Sequence, residues 1–134
     1  MKKGPSDREL VGRAWAASHH ARAPHSQFKV GAAALTSDGR IFTGCNIEVS
    51  VYGLTICAER VAVFKAISEG ARQILKVAIV ADSEKVAPPC GACRQVIWEF
   101  GTEQTQVIMA NAAGQIKKLK IAQLLPLPFD ESFL

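Results

Sequence analysis

Apolar positions at Leu10, Val11, Ala14, Trp15 and Ala17 recur at helical spacing behind Ser6, a suitable N-cap, and predict a first helix ending near Ala23 and Pro24. Residues 28–36 (FKVGAAALT) are apolar enough for a buried strand. Ser37, Asp38 and Gly39 supply a turn, and residues 40–46 (RIFTGCN) return as the second strand of a hairpin. Helical spacing resumes over residues 59–68 through Val61, Ala62, Phe64 and Ile67, with Gly70 as the stop. Residues 74–81 (ILKVAIVA) are almost continuously apolar, the mark of a central strand covered on both faces.

Pro88 and Pro89 force an extended entry to a helix over residues 90–100, which Gly101 stops. A short strand follows over 106–111, a further one over 115–120, and a short helix over 121–125 is cut by Pro126 and Pro128. The order is helix, strand hairpin, then helix and strand in alternation. It predicts an α/β sandwich with a mixed sheet, a hairpin edge being followed by parallel βαβ crossovers. No linker, repeat or low-complexity tract divides residues 1–134, which read as one domain.

Composition narrows the function. At 134 residues, 49% hydrophobic and 21% charged, the chain is globular and long enough to bury about two-thirds of its unfolded surface. A net charge of +4 is mild, and the densest basic run, Lys117, Lys118 and Lys120, lacks interleaved aromatics. That run reads as a solvated face, so no nucleic-acid partner is expected. No stretch approaches the ~20 apolar residues of a membrane span, so no membrane partner is expected. The basic start at Lys2 and Lys3 is interrupted by Asp7, Arg8 and Glu9 before any apolar signal region forms, which predicts a cytoplasmic protein. Thiols stay reduced there, so the four cysteines are read as metal ligands or catalysts.

Cys90 and Cys93 stand three apart at the opening of one helix and share a face, while Cys57 opens another. Helix N-termini favour thiolates, the form that binds zinc. Two such starts on neighbouring βα units can bring three sulfurs together at the carboxyl edge of a sheet. Three thiolates leave a fourth tetrahedral position for water, as in a catalytic rather than a structural zinc site. Glu59, two residues beyond Cys57, points away from that ligand's helical face but can exchange protons with a metal-bound water. Two other readings stand beside this one. A redox Cys-x-x-Cys pair leaves Cys57 and Glu59 unexplained, and a closed four-cysteine zinc site would use Cys45.

With the segments Cys57-Ala58-Glu59-Arg60 and Pro89-Cys90-Gly91-Ala92-Cys93 in hand, the sequence resembles the cytidine deaminases of the small, homotetrameric, free-nucleoside type. Residues 24–33 (PHSQFKVGAA), 44–48 (GCNIE), Tyr52, and Leu124-Leu125-Pro126 followed by Phe129 extend the resemblance over nearly the whole chain. It implies a three-layer α/β/α sandwich with a mixed β-sheet, and Zn²⁺ as sole cofactor. The implied reaction is hydrolytic deamination of cytidine and 2′-deoxycytidine. Cys57, Cys90 and Cys93 would hold zinc and Glu59 would shuttle protons. Asn46 and Glu48 would bind the ribose 3′-hydroxyl, Phe28 would pack on the nucleoside, and the Ala58 N–H would bind the base carbonyl. Arg60 would bond the zinc thiolates, and Tyr52 and Phe129 would reach the site of a neighbouring subunit in a homotetramer with shared active sites.

The chain departs from the family pattern at Val49, Pro88, His25 and Val61, where Asn, Ser, Tyr and Thr are usual. Two alternatives remain: a deaminase of another aminated nucleoside, of the blasticidin S type, and a non-catalytic zinc module. Cysteine rather than histidine as first ligand, and the absence of a cationic clamp near Asn46 and Glu48, point to a free nucleoside.

Overall fold

Ser6 caps the first helix, its Oγ accepting from the Glu9 N–H at 3.1 Å, and α1 runs Asp7–Ser18. The structure, a computed structural model, describes residues 4–134; the basic start at Met1, Lys2 and Lys3 lies outside the described residues. α1 stops several residues short of the predicted end. The chain after it pairs with the segment beyond the second strand: the Arg22 N–H donates to Asn46 O at 3.0 Å and the Glu48 N–H to Arg22 O at 2.8 Å. These tertiary bonds replace the last helical turns.

β1 (Val30–Thr36) and β2 (Ile41–Cys45) form the predicted hairpin. They are followed by α2 (Ala58–Ser68), β3 (Ile74–Ala81), α3 (Gly91–Phe100), β4 (Gln106–Asn111), β5 (Ile116–Lys120) and α4 (Ile121–Leu124). Short 3₁₀ turns at Tyr52–Leu54 and Glu131–Phe133 were not anticipated. The sheet order is β2-β1-β3-β4-β5. The mixed sheet is borne out, with one correction to its layout. β1 lies between β2 and β3, antiparallel to both, so only β3 and β4 are adjacent parallel partners, and β5 returns antiparallel. β2 and β3 still run the same way, because α2 carries the chain across β1 from one to the other. The carboxyl ends of β2, β3 and β4 therefore share an edge with the start of β1, where Val30 pairs with Ala81 and Gly31 with Cys45.

Strand alternation splits the core in two. Ala32, Ala34, Val77, Ile79, Val107 and Met109 pack with Ala62, Val63 and Ala66 of α2, Ile97 of α3 and Ile121 of α4. Ala33, Leu35, Ala78, Val80, Ile108 and Ala110 pack with Leu10, Val11 and Ala14 of α1. The result is the α/β/α sandwich, with β3 buried on both faces. Two glycines set how closely the helices approach. A Cβ at Gly31 would lie 1.9 Å from Ala14 O, and one at Gly44 would lie 2.6 Å from Ala58 O and Ala62 N. Gly44 thus lets the first turn of α2 sit on the end of β2. Among the described residues, no helix is long and apolar enough to cross a membrane.

Part of the basic run is not simply solvated. Lys118 on β5 and Lys76 on β3 both pair with Asp7 in the first turn of α1, at 2.7 and 2.9 Å. The hydrogen bond from Lys118, with that from Lys76, outweighs burial and holds the Asp7 carboxyl below its ordinary 3.8. A carboxylate with a depressed folded pKa stabilises above the ordinary range and loses that contribution as pH falls through the folded value. We expect Asp7→Asn to cost about 0.5–1 kcal/mol in denaturant unfolding near pH 7, the site being partly exposed. The gap should close as pH falls through the lowered folded value of Asp7. A gap that stays constant from neutral pH into acid would contradict an ion-pair origin.

Candidate active site

The site begins where β2 runs out. Asn46 turns inward and is buried; its Nδ2 donates to Phe28 O at 2.7 Å and its Oδ1 accepts from the Val30 N–H at 2.9 Å. These bonds take backbone groups of the stretch leading into β1, which is why that strand starts at Val30 and not at residue 28. Glu48, two residues on, is buried as well. Its Oε1 accepts from the N–H groups of His25 at 2.9 Å and Ser26 at 3.1 Å, and its Oε2 accepts from the Ser26 hydroxyl. The Ser26 bond is the main force holding this carboxyl below the usual range. The loop wound around it includes Gln27 at φ 58°, a left-handed conformation that costs a non-glycine residue about 1–2 kcal/mol.

Cys57 caps α2, its carbonyl accepting from the N–H groups of Arg60 and Val61. The N–H groups of Ala58 and Glu59, at the first two helical positions, have no acceptor within the helix and offer donors and positive potential at its mouth. Glu59 is only 4% exposed; burial foremost, with the Cys57 charge, pushes its carboxyl up to about 7. Across from it, Pro88 and Pro89 lead into α3, with Cys90 as cap and Cys93 at the third helical position. Arg94 anchors this entry by donating to Pro89 O at 2.8 Å and Leu124 O at 2.9 Å.

Three sulfurs converge. Cys57 Sγ lies 3.8 Å from Cys90 Sγ, Cys90 Sγ lies 3.5 Å from Cys93 Sγ, and all three are within 4.8 Å of one another. Tetrahedral ligands on zinc at about 2.3 Å stand about 3.8 Å apart, so the triangle fits this metal. The chemistry of the donors fits too. Hydrogen bonds from Cys93 foremost, and from Arg60, bring Cys57 down to about 5, a ready thiolate, while Cys93 is correspondingly raised. Arg60 Nη2 stands 3.4 Å from Cys57 Sγ, and its buried Nε has no partner among the described residues. Cys45 is not one of the converging sulfurs, so the structure does not assemble the closed four-cysteine site.

A cavity of about 250 Å³ opens over the sulfurs, bounded by Cys57, Ala58, Glu59 and Cys90 at one end and by Phe28, Asn46 and Glu48 at the other. Cys93 is buried beneath and Arg60 stands behind the sulfur of Cys57. Tyr52 lies outside this cavity, on an adjoining one of about 350 Å³, with its ring edge-on to His25 at 5.3 Å. Phe129 lines neither; it stacks on Phe133 at 5.1 Å, and its carbonyl accepts from Gln95. Sequence reasoning did not single out Ser26, Thr55 or Ile79, which also line the main cavity. Ile79 could have been found as an apolar residue near the carboxyl end of a central strand, whereas nothing local marks Ser26.

Residues 5–109 match the family model described as the cytidine and deoxycytidylate deaminase zinc-binding region. The chain belongs to this deaminase family. It is 48% identical over 117 residues to the cytidine deaminase of Halalkalibacterium halodurans, covering 87% of this chain and 89% of that one. The cytidine deaminase of Sporosarcina psychrophila is 47% identical over 126 residues, 94% of this chain and 93% of the relative. Among solved structures, the cytidine deaminase of Burkholderia pseudomallei superimposes with a TM-score of 0.90 at 42% identity, over 93% of this chain and all of that one. The family read from the cysteine motifs is thereby borne out. Zinc is the cofactor of this deaminase, and the sulfur triangle is suited to hold it.

The geometry predicts one zinc per chain. Cys90→Ser should lose the metal and Cys45→Ser should keep it, as measured by elemental analysis of purified protein. Equal loss in both variants would return the four-cysteine site to consideration.

Proposed function

We propose that this zinc deaminase converts cytidine and 2′-deoxycytidine to uridine and 2′-deoxyuridine, releasing ammonia. The observation that carries this reading is the charge pattern of the cavity. The buried Glu59 carboxyl and the sulfurs of Cys57 and Cys90 line one end and the polar side chains of Asn46 and Glu48 the other, with no Lys, Arg or His among its described lining residues. A nucleotide phosphate would meet the Glu48 carboxylate, while the guanidinium of Arg22 is engaged by the Glu48 carbonyl. A neutral nucleoside carries no such penalty.

Zinc, when bound by Cys57, Cys90 and Cys93, supplies the Lewis acidity that makes water nucleophilic near neutral pH. Glu59 takes the proton of the attacking water and delivers it to N3 of the base; it then takes the proton of the new C4 hydroxyl and passes it to the amine, which leaves as ammonia while C4 becomes a carbonyl. The Ala58 N–H, free at the helix start, donates to the base carbonyl. Asn46 and Glu48 hydrogen-bond the ribose 3′-hydroxyl, the Glu48 carboxylate as acceptor, and Phe28 covers the nucleoside. Three thiolates exceed the charge of Zn²⁺ by one, and Arg60 with the starts of α2 and α3 offsets the excess.

The chain acts as a single catalytic domain, residues 1–134, in a homotetramer with shared sites. Tyr52, Leu127, Phe129 and Phe133 are each more than 60% exposed in the single chain, an apolar surface that neighbouring subunits would cover. Phe129, turned away from its own cavity, closes that of a neighbour, and Tyr52 supports it. The proline-flanked approach to Phe129 stiffens such an arm. A metal site made of thiolates needs reduced cysteines, which supports a cytoplasmic location.

Ultraviolet assay of zinc-loaded protein should show turnover of cytidine and 2′-deoxycytidine, and little of cytosine, deoxycytidylate or blasticidin S. Preference for either of the last two would replace the reading, and no turnover of any would favour a structural zinc module. Glu59→Gln should remain folded and zinc-loaded yet lose about 10³–10⁴-fold or more in kcat, since it handles several proton transfers. A near-normal rate would end this mechanism. Mixed tetramers test the shared site. If Phe129 acts across the interface, co-refolded Glu59→Gln and Phe129→Ala chains should exceed the summed activity of the separate variants. Some of their sites would pair an intact Glu59 with a neighbour's intact Phe129. The absence of any gain would place Phe129 within its own chain's function.

A further inference from the structure

At the sugar end of the cavity the Glu48 carboxylate is held by two backbone N–H groups and one side-chain hydroxyl. Glu48 lies beyond β2, where the bridges of Ile47 to Arg22 and Ile56 hold its backbone and its side chain is held separately. Its carboxylate has about four acceptor positions. Oε1 uses two on the N–H groups of His25 and Ser26, and Oε2 uses one on the Ser26 hydroxyl. One position on Oε2 is left for a ligand. The Ser26 oxygen also accepts from the Phe28 N–H at 3.0 Å, which turns the hydroxyl hydrogen toward Glu48. The other candidates for this task are engaged elsewhere. Thr55 Oγ1 accepts from the Val49 N–H at 3.1 Å, and the Asn46 amide bonds Phe28 O and Val30 N. Ser26 lines both the main cavity and the adjoining one, so its hydroxyl sits at the edge of the space the sugar would enter.

We propose that Ser26 is the positioning residue of the sugar site, orienting the Glu48 carboxylate so that its remaining acceptor faces the 3′-hydroxyl. The inference rests on the sugar role of Glu48 proposed above. Ser26 acts through Glu48 and touches neither the metal ligands nor Glu59. Without its hydroxyl, Oε1 keeps both backbone donors, so the carboxylate stays in place while Oε2 loses the bond that aims it. Ser26 is exposed, and its replacement removes no core packing.

Ser26→Ala should raise KM for cytidine roughly tenfold with kcat changed by no more than about twofold, the signature of a binding contact held in both ground and transition states. The same change should leave kcat/KM for 3′-deoxycytidine within about twofold, because that substrate lacks the hydroxyl being read. Ser26→Thr, which keeps an oxygen at the same position, should restore most of the cytidine KM. Glu48→Gln is the reference, and adding Ser26→Ala to it should cost little more, since both changes act on one contact. Thermal melts of all variants check that each is folded. If Glu48→Gln leaves the cytidine KM unchanged, the sugar reading fails and this inference with it. If Glu48→Gln raises KM but Ser26→Ala does not, the sugar reading stands and the role of Ser26 is overturned. Equal losses on cytidine and 3′-deoxycytidine, or losses additive with Glu48→Gln, would likewise overturn it.

Discussion

Three sulfurs from two helices can meet only if both helices begin at the same edge of one sheet, and much of this fold follows from that requirement. Cys57 and Cys90 are caps, so their positions are set by where α2 and α3 start. Those starts share an edge because β2, β3 and β4 run the same way, although only β3 and β4 are parallel neighbours. The intervening β1 is crossed by α2 at close range, which its alanines at 32 and 34 permit. Gly44 removes the last obstacle, since any side chain there would collide with the first turn that carries Ala58. A small-residue sheet and a precise metal triangle are thus two aspects of one packing solution.

The same convergence creates an electrostatic difficulty. Sulfurs and the buried Glu59 carboxyl crowd together, and negative charge in such a place is costly. The chain answers with partial positive charge from backbone rather than with a ring of lysines. Two helix starts face the cluster, and the single guanidinium of Arg60 approaches Cys57 from behind, outside the cavity lining. Among the described residues the cavity lining therefore carries no cation of its own, which is the basis for proposing a neutral ligand rather than a phosphorylated one. Compensation from behind and selectivity in front depend on each other.

How much of this could be read from the residues follows from how local each signal is. Periodicity, turn residues and caps found every strand and α-helix among the described residues, because each is decided within a few residues, but not the two 3₁₀ turns. The sulfur cluster was legible for the same reason, since Cys90 and Cys93 are one helical turn apart and Cys57 sits at a recognisable helix start. Features set by distant partners were not legible. α1 stops early because residues near Arg22 pair with residues near Glu48, and β1 is inserted between β2 and β3 by tertiary packing. Lys118 looked solvated because Asp7 is more than a hundred positions away. Ser26 escaped notice because its importance lies in one bond to a carboxylate 22 residues on.

This division also bears on the positions where the chain differs from its family's usual pattern. At His25 the group that holds Glu48 is the backbone N–H, while the ring is turned to Tyr52. At Val49 the bonded group is again the N–H, to Thr55. Pro88 lines the cavity, and proline, whatever it lacks as a donor, still presents a carbonyl. Val61 lies beside Gly44, where what matters is the space left by the glycine. At the first two of these positions a hydrogen bond belongs to the main chain, so a change of side chain does not remove it. The side chains proposed to touch the substrate directly are Phe28, Asn46, Glu48 and Glu59, none of which is among these departures. Side chains whose polar atoms face the ligand cannot be exchanged so freely. The departures at His25 and Val49 therefore bear on the surroundings of the adjoining cavity near His25 and Tyr52 more than on the chemistry at the metal.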